Sequence, residues 1–327
     1  MLMPSSVSVV TASRNRPQML ERALTSIARQ SFSAFNVFVV DDGSSSEHAD
    51  AYRSIVSGFG ERFHLLQPLR AGETGSGPSA SRNRGMAAGQ DPYIAFIDDD
   101  DFWTWDQHLE TAVSALEEHR GEFYCAEMQG FRGDTLVLDR WFTDARKMMS
   151  SKALRENPPV FSTTRAAFLH ATGGRIVHPN MLVISRELLR RAGEFNLSLR
   201  FGEDWEFVVR LLDHVEMVLF SPQVVARYRL PEAGSLSSTW SRTAAELQTL
   251  SGAQHVRVSA RSQEVRAEAA RVTSWSLRSL SRMMKEEGRS GLAVSLAVEA
   301  FVARPSLGGA RHVVQSLLPG GRGTGKA

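Results

Sequence analysis

The sequence predicts an α/β fold, with a mostly parallel central sheet flanked by helices and a helical C-terminal extension. Over the first hundred residues, short apolar runs rich in β-branched side chains alternate with amphipathic stretches. This alternation favours parallel strands joined by right-handed crossovers. After about residue 240 the apolar spacing is helical throughout. The composition is that of a globular chain, since 42% of the 327 residues are hydrophobic and 23% are charged.

The first half contains the clearest elements. Residues 6–11, 35–40 and 93–97 are predicted to be buried strands, and residues 62–67 could form another. Pro17 fits the first turn of a helix. Apolar residues follow it at helical spacing, namely Met19, Leu20, Ala23, Leu24 and Ile27. Because open α/β sheets bind ligands beyond the carboxyl ends of their strands, that edge is where we expect the site.

The second half is less regular. Residues 141–180 have weak patterning, and we interpret them as a long, partly mobile connection. The end of the chain, residues 320–327, is expected to be disordered. The other predicted elements are a helix at 107–119, shorter strands within 121–140, helices at 185–192 and 205–212, and strands at 217–220 and 224–228.

Several classes of protein are not expected. The single cysteine, Cys125, excludes an intramolecular disulfide and a cysteine-rich zinc site, and it fits a reducing cytoplasm. The first residues lack the basic and apolar regions of a signal peptide. No run of eighteen apolar residues occurs, so a membrane span is not expected, and residues 292–303 are too short for one.

The charge is distributed unevenly. The net charge is +2, but residues 241–327 contain 13 basic and 6 acidic side chains. A solvated helical surface would explain this excess, and so would docking to anionic lipid or to an anionic acceptor. We expect no nucleic-acid partner. The expected location is the cytoplasm, with peripheral contact at the inner membrane face as the alternative to a freely solvated tail.

Four consecutive aspartates, Asp98, Asp99, Asp100 and Asp101, follow the apolar run that ends at residue 97. Adjacent carboxylates repel one another, and a divalent cation such as Mg²⁺ or Mn²⁺ supplies the missing counter-charge. A solvated acidic turn is the alternative. The position between a buried strand and the pair Phe102–Trp103 favours the metal site.

Three further segments carry polar side chains suited to a ligand. Asp41 and Asp42 end the second predicted strand, where they could contact a ribose or form a tight turn and helix cap. The small residues around Arg82 open a helix, and arginine suits phosphate. Asp204 lies where an irregular segment becomes a helix, so it is either a cap or a general base.

Five segments, in chain order, resemble family 2 glycosyltransferases. Residues 6–11 resemble the first strand of that family, and residues 40–44 match its VDDGS segment. The other three are residues 79–85, similar to S-x-A-R-N-x-G but with Ser81 intruding, residues 96–103, similar to F-L-D-x-D-D-x-W, and residues 202–206, similar to G-E-D-W. The resemblance spans roughly residues 5–235.

The resemblance implies a Rossmann-like GT-A fold and a nucleotide-sugar donor, expected to be a UDP- or dTDP-sugar. Residues 1–105 would form the donor-binding half, residues 106–235 the acceptor-binding half, and residues 236–327 a helical extension. Side chains expected to contact the donor are Thr11, Arg14, Asp41, Asp42, Arg82, Asp98 and Asp99.

The same resemblance implies the roles of the acidic residues. Asp98 and Asp100 would be the outer members of the D-x-D metal motif, with Asp100 touching Mg²⁺ or Mn²⁺ directly and Asp99 facing the ribose or sugar. Asp204 would take the proton of the attacking acceptor hydroxyl, and a single displacement would invert the anomeric centre. Glu203, Trp205 and His178 are the residues expected on the acceptor side.

The chain also departs from the family pattern. It lacks the Q-x-x-R-W signature and the membrane helices of processive members, which favours transfer of single sugars to a glycan, lipid-linked or small-molecule acceptor. Many relatives have a histidine in the segment matching residues 228–237, and here there is none. Two alternatives remain, a non-catalytic nucleotide-sugar-binding relative and a sugar nucleotidyltransferase. Retention of Asp98, Asp100 and Asp204 counts against the first, and the missing G-G-x-G-T-R-type start counts against the second.

Overall fold

A computed structural model describes residues 5–68, 75–149, 152–172, 177–231 and 240–318. The chain forms two compact units, Met1–Glu232 and Ala233–Ala327. The segment predicted to be disordered, residues 320–327, lies outside the described residues, as does most of the segment that lacks the family histidine.

The first half of the first unit alternates strands and helices as predicted. Its elements are β1 (Val7–Ser13), α1 (Pro17–Ala28), β2 (Phe35–Asp41), α2 (Ser46–Gly58), β3 (Phe63–Leu66), α3 (Pro78–Ala88) and β4 (Tyr93–Phe96). The strands are parallel and lie in the order β3-β2-β1-β4, with Val9 of β1 opposite Val37 of β2 and Ala95 of β4. The carboxyl ends of these strands therefore meet at one edge.

The second half of this unit extends the same sheet. Its elements are β5 (Phe102–Trp103), α4 (His108–Glu118), β6 (Phe123–Arg132), β7 (Thr135–Leu138), β8 (Arg155–Glu156), β9 (Pro159–Thr164), α5 (Arg165–Ala171), β10 (Leu182–Ser185), α6 (Arg186–Ala192), α7 (Glu203–Leu212) and β11 (Met217–Arg229). The sheet continues from β4 in the order β10-β6-β11-β9-β8, with β5 paired to β11 and β7 to β6. Here β6 and β11 are parallel and the other pairs are antiparallel. The predicted α/β fold, with a central sheet and flanking helices, is confirmed.

Two predictions for the second half were wrong. Residues 141–180 are not one irregular connection, because β9 pairs antiparallel with β11, and α5 follows it with Thr164 Oγ1 capping the amide of Ala167. The two strands predicted within residues 217–228 are one strand, β11. Its register against β6 shifts between Phe220 and Val224. Pro222 lies in this interval, and a bulge accommodates a residue that has no amide hydrogen to donate.

The second unit is helical, as predicted for the C-terminal extension. It consists of α8 (Arg242–Ser259), α9 (Gln263–Glu286), α10 (Ser290–Ala303) and α11 (Leu307–Leu317). Serine hydroxyls join α9 to α10, since Ser274 donates to the carbonyl of Ala300 and Ser281 to that of Ala293, each at 2.7 Å. Within the described residues, the helices are too short or too polar for any of them to cross a bilayer.

Candidate active site

Arg82 of α3 joins the acidic run to the start of α7. Its Nη2 lies 2.8 Å from Asp98 Oδ1, and its Nη1 lies 2.8 Å from Asp204 Oδ1 and 3.4 Å from Glu203 Oε1. Burial lowers the pKa of Arg82, but the three carboxylates overcome this effect and raise it above its ordinary value. The planar guanidinium presents donors on separate nitrogens, so one side chain can hold two carboxylates in fixed positions.

Close packing of α3 positions Arg82. A Cβ on Gly85 would lie 2.4 Å from Cγ1 of Val10, so only glycine lets the helix approach β1 this closely. Asn83 fixes the other side, because its amide donates to the carbonyl of Phe195 and accepts from the Phe195 amide, both at 2.9 Å. The segment that leads to α7 is thereby tied to the helix that carries Arg82.

Asp98 begins the acidic run directly after β4. Its amide donates to Asn180 Oδ1 at 3.0 Å, and its Oδ2 lies 3.6 Å from Nε2 of His178. Burial opposes ionisation of Asp98, but the charges of Arg82 and His178 lower the pKa of its carboxyl below the ordinary value. This aspartate is therefore held as a carboxylate.

Asp99 and Asp100 share a different arginine. Nη1 of Arg16 lies 3.2 Å from Asp99 Oδ1 and 3.1 Å from Asp100 Oδ2. Ser13 donates to Asp99 Oδ2 at 2.7 Å. Burial, together with the charge of Asp100, raises the pKa of Asp99 to about 7, in spite of Ser13 and Arg16. Burial also raises the pKa of Asp100, and the charge of Asp98 adds to this effect.

Asp101 is a structural acceptor. Its Oδ1 accepts from the amide of Arg229 at 2.6 Å, and its Oδ2 accepts from Nδ2 of Asn180. Burial and the charges of Asp100 and Asp98 raise the pKa of Asp101 well above the ordinary value. Asp101 thus connects the acidic run to the end of β11 and to the segment that precedes β10.

Glu203 and Asp204 occupy the first turn of α7. The helix begins after Gly202, which has the left-handed conformation at φ 75°. Negative charges at a helix N-terminus are stabilised by its exposed amides. Burial and the neighbouring Asp204 raise the pKa of Glu203 to about 7, while Arg82 opposes the shift. Asp204 is half-buried, and its Oδ1 lies 2.8 Å from Nη1 of Arg82.

Three aromatic rings form a row that starts beside Asp98. The His178 ring lies 4.6 Å from that of Tyr228, which lies 5.3 Å from that of Trp141. Nδ1 of His178 accepts from the amide of Asn180 at 3.4 Å, and its Nε2 lies 3.6 Å from Asp98 Oδ2. Such a row offers apolar ring faces next to the acidic run.

The predicted donor residues lie around the carboxyl ends of β1 and β2. Asp42 accepts from the amides of Ser76 and Gly77 and from Ser81 Oγ, so it holds the start of α3. Arg14 and Asp42 both border Gly75, where a Cβ would come within 2.7 Å of each. Arg14 and Asp42 therefore both lie next to the backbone of Gly75.

Asp41, Thr11 and Trp205 are more enclosed. Asp41 accepts from the amide of Ser44 at 2.8 Å, which is the tight turn that the sequence left open. Thr11 is fully buried, and its Oγ1 has no partner among the described residues. Trp205 is buried on α7. The ligand roles of these three residues stay predictions.

One group of side chains could hold a metal ion within the described part of the chain. One ligand atom from each of Asp98, Asp101 and His178 lies within 4.8 Å of the others. Both oxygens of Asp101 already accept hydrogen bonds, and Nδ1 of His178 accepts one from the amide of Asn180. Asp98 belongs both to this group and to the predicted pair of metal ligands, Asp98 and Asp100. One oxygen of Asp100 accepts a hydrogen bond from Arg16.

The sequence did not single out several residues of this cluster. Arg16 and Ser13 hold Asp99, Asn180 holds Asp101, and Tyr228 contacts His178. The only local signals were the arginine next to the predicted Arg14 and the asparagine that follows His178 and Pro179.

Comparison with known sequences identifies the family. The sequence profile described as "Glycosyl transferase family 2" matches residues 8–191, which is more than half of the chain. The chain belongs to glycosyl transferase family 2. The matched residues contain the acidic run, Arg82 and His178, whereas Glu203 and Asp204 follow the matched region.

Curated relatives of this family 2 chain include the succinoglycan biosynthesis protein ExoW of Rhizobium meliloti (strain 1021). It is 26% identical over 219 residues, which cover 66% of this chain and 64% of ExoW. The chain thus spans less than two thirds of the length of that relative.

Solved structures of similar fold include S. aureus TarS 1–349 in complex with UDP-GlcNAc. TarS has a TM-score of 0.63 and 18% identity, over 95% of this chain and 79% of that one. The mannosyltransferase PcManGT from Pyrobaculum calidifontis, in complex with GDP-Man and Mn²⁺, has a TM-score of 0.57 and 15% identity. The match covers 96% of this chain and 80% of PcManGT. At these identities the likeness concerns the fold, which is the predicted GT-A fold.

Proposed function

We propose that this family 2 chain is an inverting, non-processive glycosyltransferase that moves one sugar from a nucleotide-diphosphate sugar to an acceptor hydroxyl. The observation that carries the proposal is the position of Arg82. One buried guanidinium contacts Asp98 of the acidic run and Asp204 of α7. The carboxylate proposed as the base is thereby held next to the residues proposed to face the donor.

In the proposed reaction, Asp204 accepts the proton of the acceptor hydroxyl while the hydroxyl oxygen bonds to the anomeric carbon. The bond from that carbon to the donor phosphate breaks, and the nucleoside diphosphate leaves with the bonding electrons. One displacement inverts the anomeric centre. The pKa of Glu203 is raised to about 7, so Glu203 stays protonated to a higher pH than an ordinary glutamate. A protonated carboxyl can donate a hydrogen bond, which suits Glu203 to orienting the acceptor.

The acidic run fits a divalent cation, Mg²⁺ or Mn²⁺. Four consecutive carboxylates are a hard oxygen donor set, and two of them, Asp99 and Asp100, have raised pKa values that a cation would reverse. We propose Asp98 and Asp100 as the ligands, whereas Asp101 holds Asn180 and the end of β11 through its two hydrogen bonds. When bound, the ion would neutralise charge on the departing diphosphate.

The proposed donor is a UDP- or dTDP-sugar. The binding of UDP-GlcNAc by TarS, a protein of the same fold, supports a nucleotide-sugar donor. In this chain Arg14 and Asp42, which lie together around Gly75, are proposed to line the nucleoside pocket with Thr11 and Asp41. Asp99 is proposed to face the ribose or sugar, and residues 1–105 to form the donor half.

The acceptor is proposed to be a glycan, lipid-linked or small-molecule hydroxyl, bound by residues 106–235. The name of ExoW, a succinoglycan biosynthesis protein, supports a role in cell-surface polysaccharide synthesis. His178 and Glu203 lie within the Asp98–Asp204 cluster and are proposed to contact the acceptor, with Trp205 beside them. The rings of Tyr228 and Trp141 extend the proposed acceptor side from His178.

The proposed location is the cytoplasm, with peripheral contact at the inner membrane face. In the second unit, apolar residues are exposed on α10 and α11, namely Leu292, Val298, Val302, Leu307, Val314 and Leu317. Residues 241–327 also carry the basic excess. An apolar surface within a basic region is suited to an anionic lipid interface.

The products test the proposed reaction. Phosphorus NMR would follow incubation of the protein with a panel of nucleotide sugars, Mn²⁺ and a glycan and lipid extract. Release of nucleoside diphosphate, with a product of inverted anomeric configuration, is expected. Release of pyrophosphate would instead indicate a nucleotidyltransferase, and donor binding without turnover would indicate the non-catalytic alternative.

A further inference from the structure

A cavity of about 220 Å³ lies beside the acidic run, between α1, β5, β11 and the turn that joins β6 to β7. Of its lining residues, the proposed reaction uses only Asp100. Three arginines line it, Arg22 from α1 and Arg227 and Arg229 from β11. Its volume is several times the ~30 Å³ that one water molecule occupies in the liquid, so it can hold a hydrated polyatomic ion.

Aromatic rings hold two of these arginines in place. The Cζ atom of Arg22 lies 3.8 Å from the centre of the Phe102 ring, and that of Arg227 lies 3.9 Å from the centre of the Phe131 ring. A guanidinium stacked on a ring keeps its N–H donors in its own plane, directed away from the ring face. Stacking therefore orders both cations, and Nη2 of Arg227 also donates to the carbonyl of Gly133 and to Asp134 Oδ1.

Two carboxylates, Asp100 and Asp134, share the wall of this cavity with the three arginines. Burial lowers the pKa of Arg22, and the like charge of Arg227 lowers it further. Asp134 lies 2.9 Å from Arg227, but its side chain is fully exposed, and ion pairs with exposed partners contribute little. Asp100, which also borders the cavity, is paired with Arg16 at 3.1 Å.

We propose that this pocket binds a phosphate-type oxyanion, either free in solution or carried by a lipid. Stacked guanidinium groups are suited to bidentate recognition of phosphate oxygens. Because Asp100 forms part of the wall, a phosphate held here would keep its carrier next to the acidic run. The proposal rests on the pocket alone and does not depend on the transfer reaction.

Inorganic phosphate is the first probe, titrated into the full chain with EDTA present and followed by line broadening in phosphorus NMR. The wild type should bind it saturably. Arg22→Gln combined with Arg227→Gln should weaken binding at least about tenfold, because two charge-assisted contacts are lost. Arg53→Gln, at an exposed arginine of α2 that pairs with Asp50, is the matched control and should not change it.

Asp134→Asn provides a second variant that cannot fail by unfolding, because the side chain of Asp134 is fully exposed. Removing this carboxylate should strengthen phosphate binding about two- to threefold, since an exposed competitor for Arg227 is lost. Unchanged affinity in both Asp134→Asn and the double arginine variant, or no saturable binding to the wild type, would overturn the proposal.

The two sources of phosphate are separated by flotation with phosphatidylcholine vesicles, prepared with and without phosphatidic acid. If the double arginine variant binds the phosphatidic acid vesicles less well than the wild type, the pocket takes a lipid-borne phosphate. Equal flotation of the two proteins, together with loss of inorganic phosphate binding in the variant, assigns the pocket to a soluble anion.

Discussion

At the residue scale, the four aspartates after β4 are in different states although they are adjacent in sequence. Arg82 lowers the pKa of Asp98, whereas burial raises that of Asp99 to about 7 and that of Asp101 well above its ordinary value. The repulsion expected for four adjacent charges is thus relieved by two arginines and by protonation. A cation that binds the run would therefore compete with protons and with Arg16 for the carboxylates of Asp99 and Asp100.

The metal assignment predicts that Asp100→Ala removes the Mn²⁺-dependent part of UDP binding, weakening it at least about tenfold. Calorimetry with and without Mn²⁺ measures this. His178→Ala should keep most of the Mn²⁺ dependence, because His178 is not one of the two proposed ligands. The reverse pattern, with His178 required and Asp100 dispensable, would favour the group of Asp98, Asp101 and His178.

Glu127 predicts a pH dependence of stability. It is fully buried on β6, its Oε2 accepts from the amides of Trp141 and Phe142, and burial raises its pKa from 4.5 to about 7. Between these pH values the folded protein binds a proton that the unfolded chain has released, so the contribution of Glu127 to stability falls as pH rises.

Glu127→Gln mimics the protonated acid and should leave stability unchanged near pH 4.5. At pH 8 the variant should be more stable than the wild type, by up to about 3 kcal/mol. Urea denaturation across this range gives the comparison, with Glu118→Gln at an exposed glutamate as the control for loss of one charge. A difference between variant and wild type that does not change with pH would contradict the assignment.

At the element scale, α3 connects the two sides of the site. Gly85 brings the helix onto β1, Asn83 ties it to Phe195, and Arg82 between them reaches both Asp98 and Asp204. The distance between Asp98, on the proposed sugar-donor side, and Asp204, the proposed base, therefore depends on how α3 packs against β1.

Asn83→Ala should lower the free energy of unfolding by about 2–4 kcal/mol, because the amide and carbonyl of Phe195 lose their partners. Turnover should fall as well, since the start of α7 loses its attachment to α3. Asn196→Ala is the control, as Asn196 bonds locally to Ser198. Urea titration of both variants decides, and equal stabilities would refute the role of Asn83.

Sequence predicted the elements that have local signals. Strands such as β1 and β4 are mostly apolar because they are buried on both faces, and the aspartates after β2 and β4 marked the site edge. The pairing of β9 with β11 was missed because β9 begins at Pro159, in a weakly patterned stretch, and its partner lies far along the chain. The Arg82–Asp204 ion pair spans 122 positions, and no local pattern encodes such a contact.

At the scale of the whole molecule, the two units differ in charge and in exposed surface. The sheet-containing unit carries the acidic run, whereas residues 241–327 hold the basic excess, and α10 and α11 expose apolar side chains. This division fits a protein whose first unit performs the chemistry while the second contacts an anionic surface.

Flotation with phosphatidylglycerol vesicles tests this division. The full chain should float, and Val302→Ser with Leu307→Ser should reduce the floated fraction by at least about half, since both side chains are mostly exposed on or beside α10 and α11. Val258→Ser, at an exposed valine near the end of α8, is the matched control. No flotation of the wild type would assign the basic region to a solvated surface.

Replacement of Asp204 by asparagine tests the proposed transfer reaction most directly. The variant keeps a polar group opposite Arg82 but loses the proton acceptor. Turnover should fall at least about a hundredfold, as expected when a general base is removed, while donor affinity stays nearly unchanged. Rates of nucleoside diphosphate release and calorimetric donor titrations measure both quantities. Full turnover in Asp204→Asn would contradict the account.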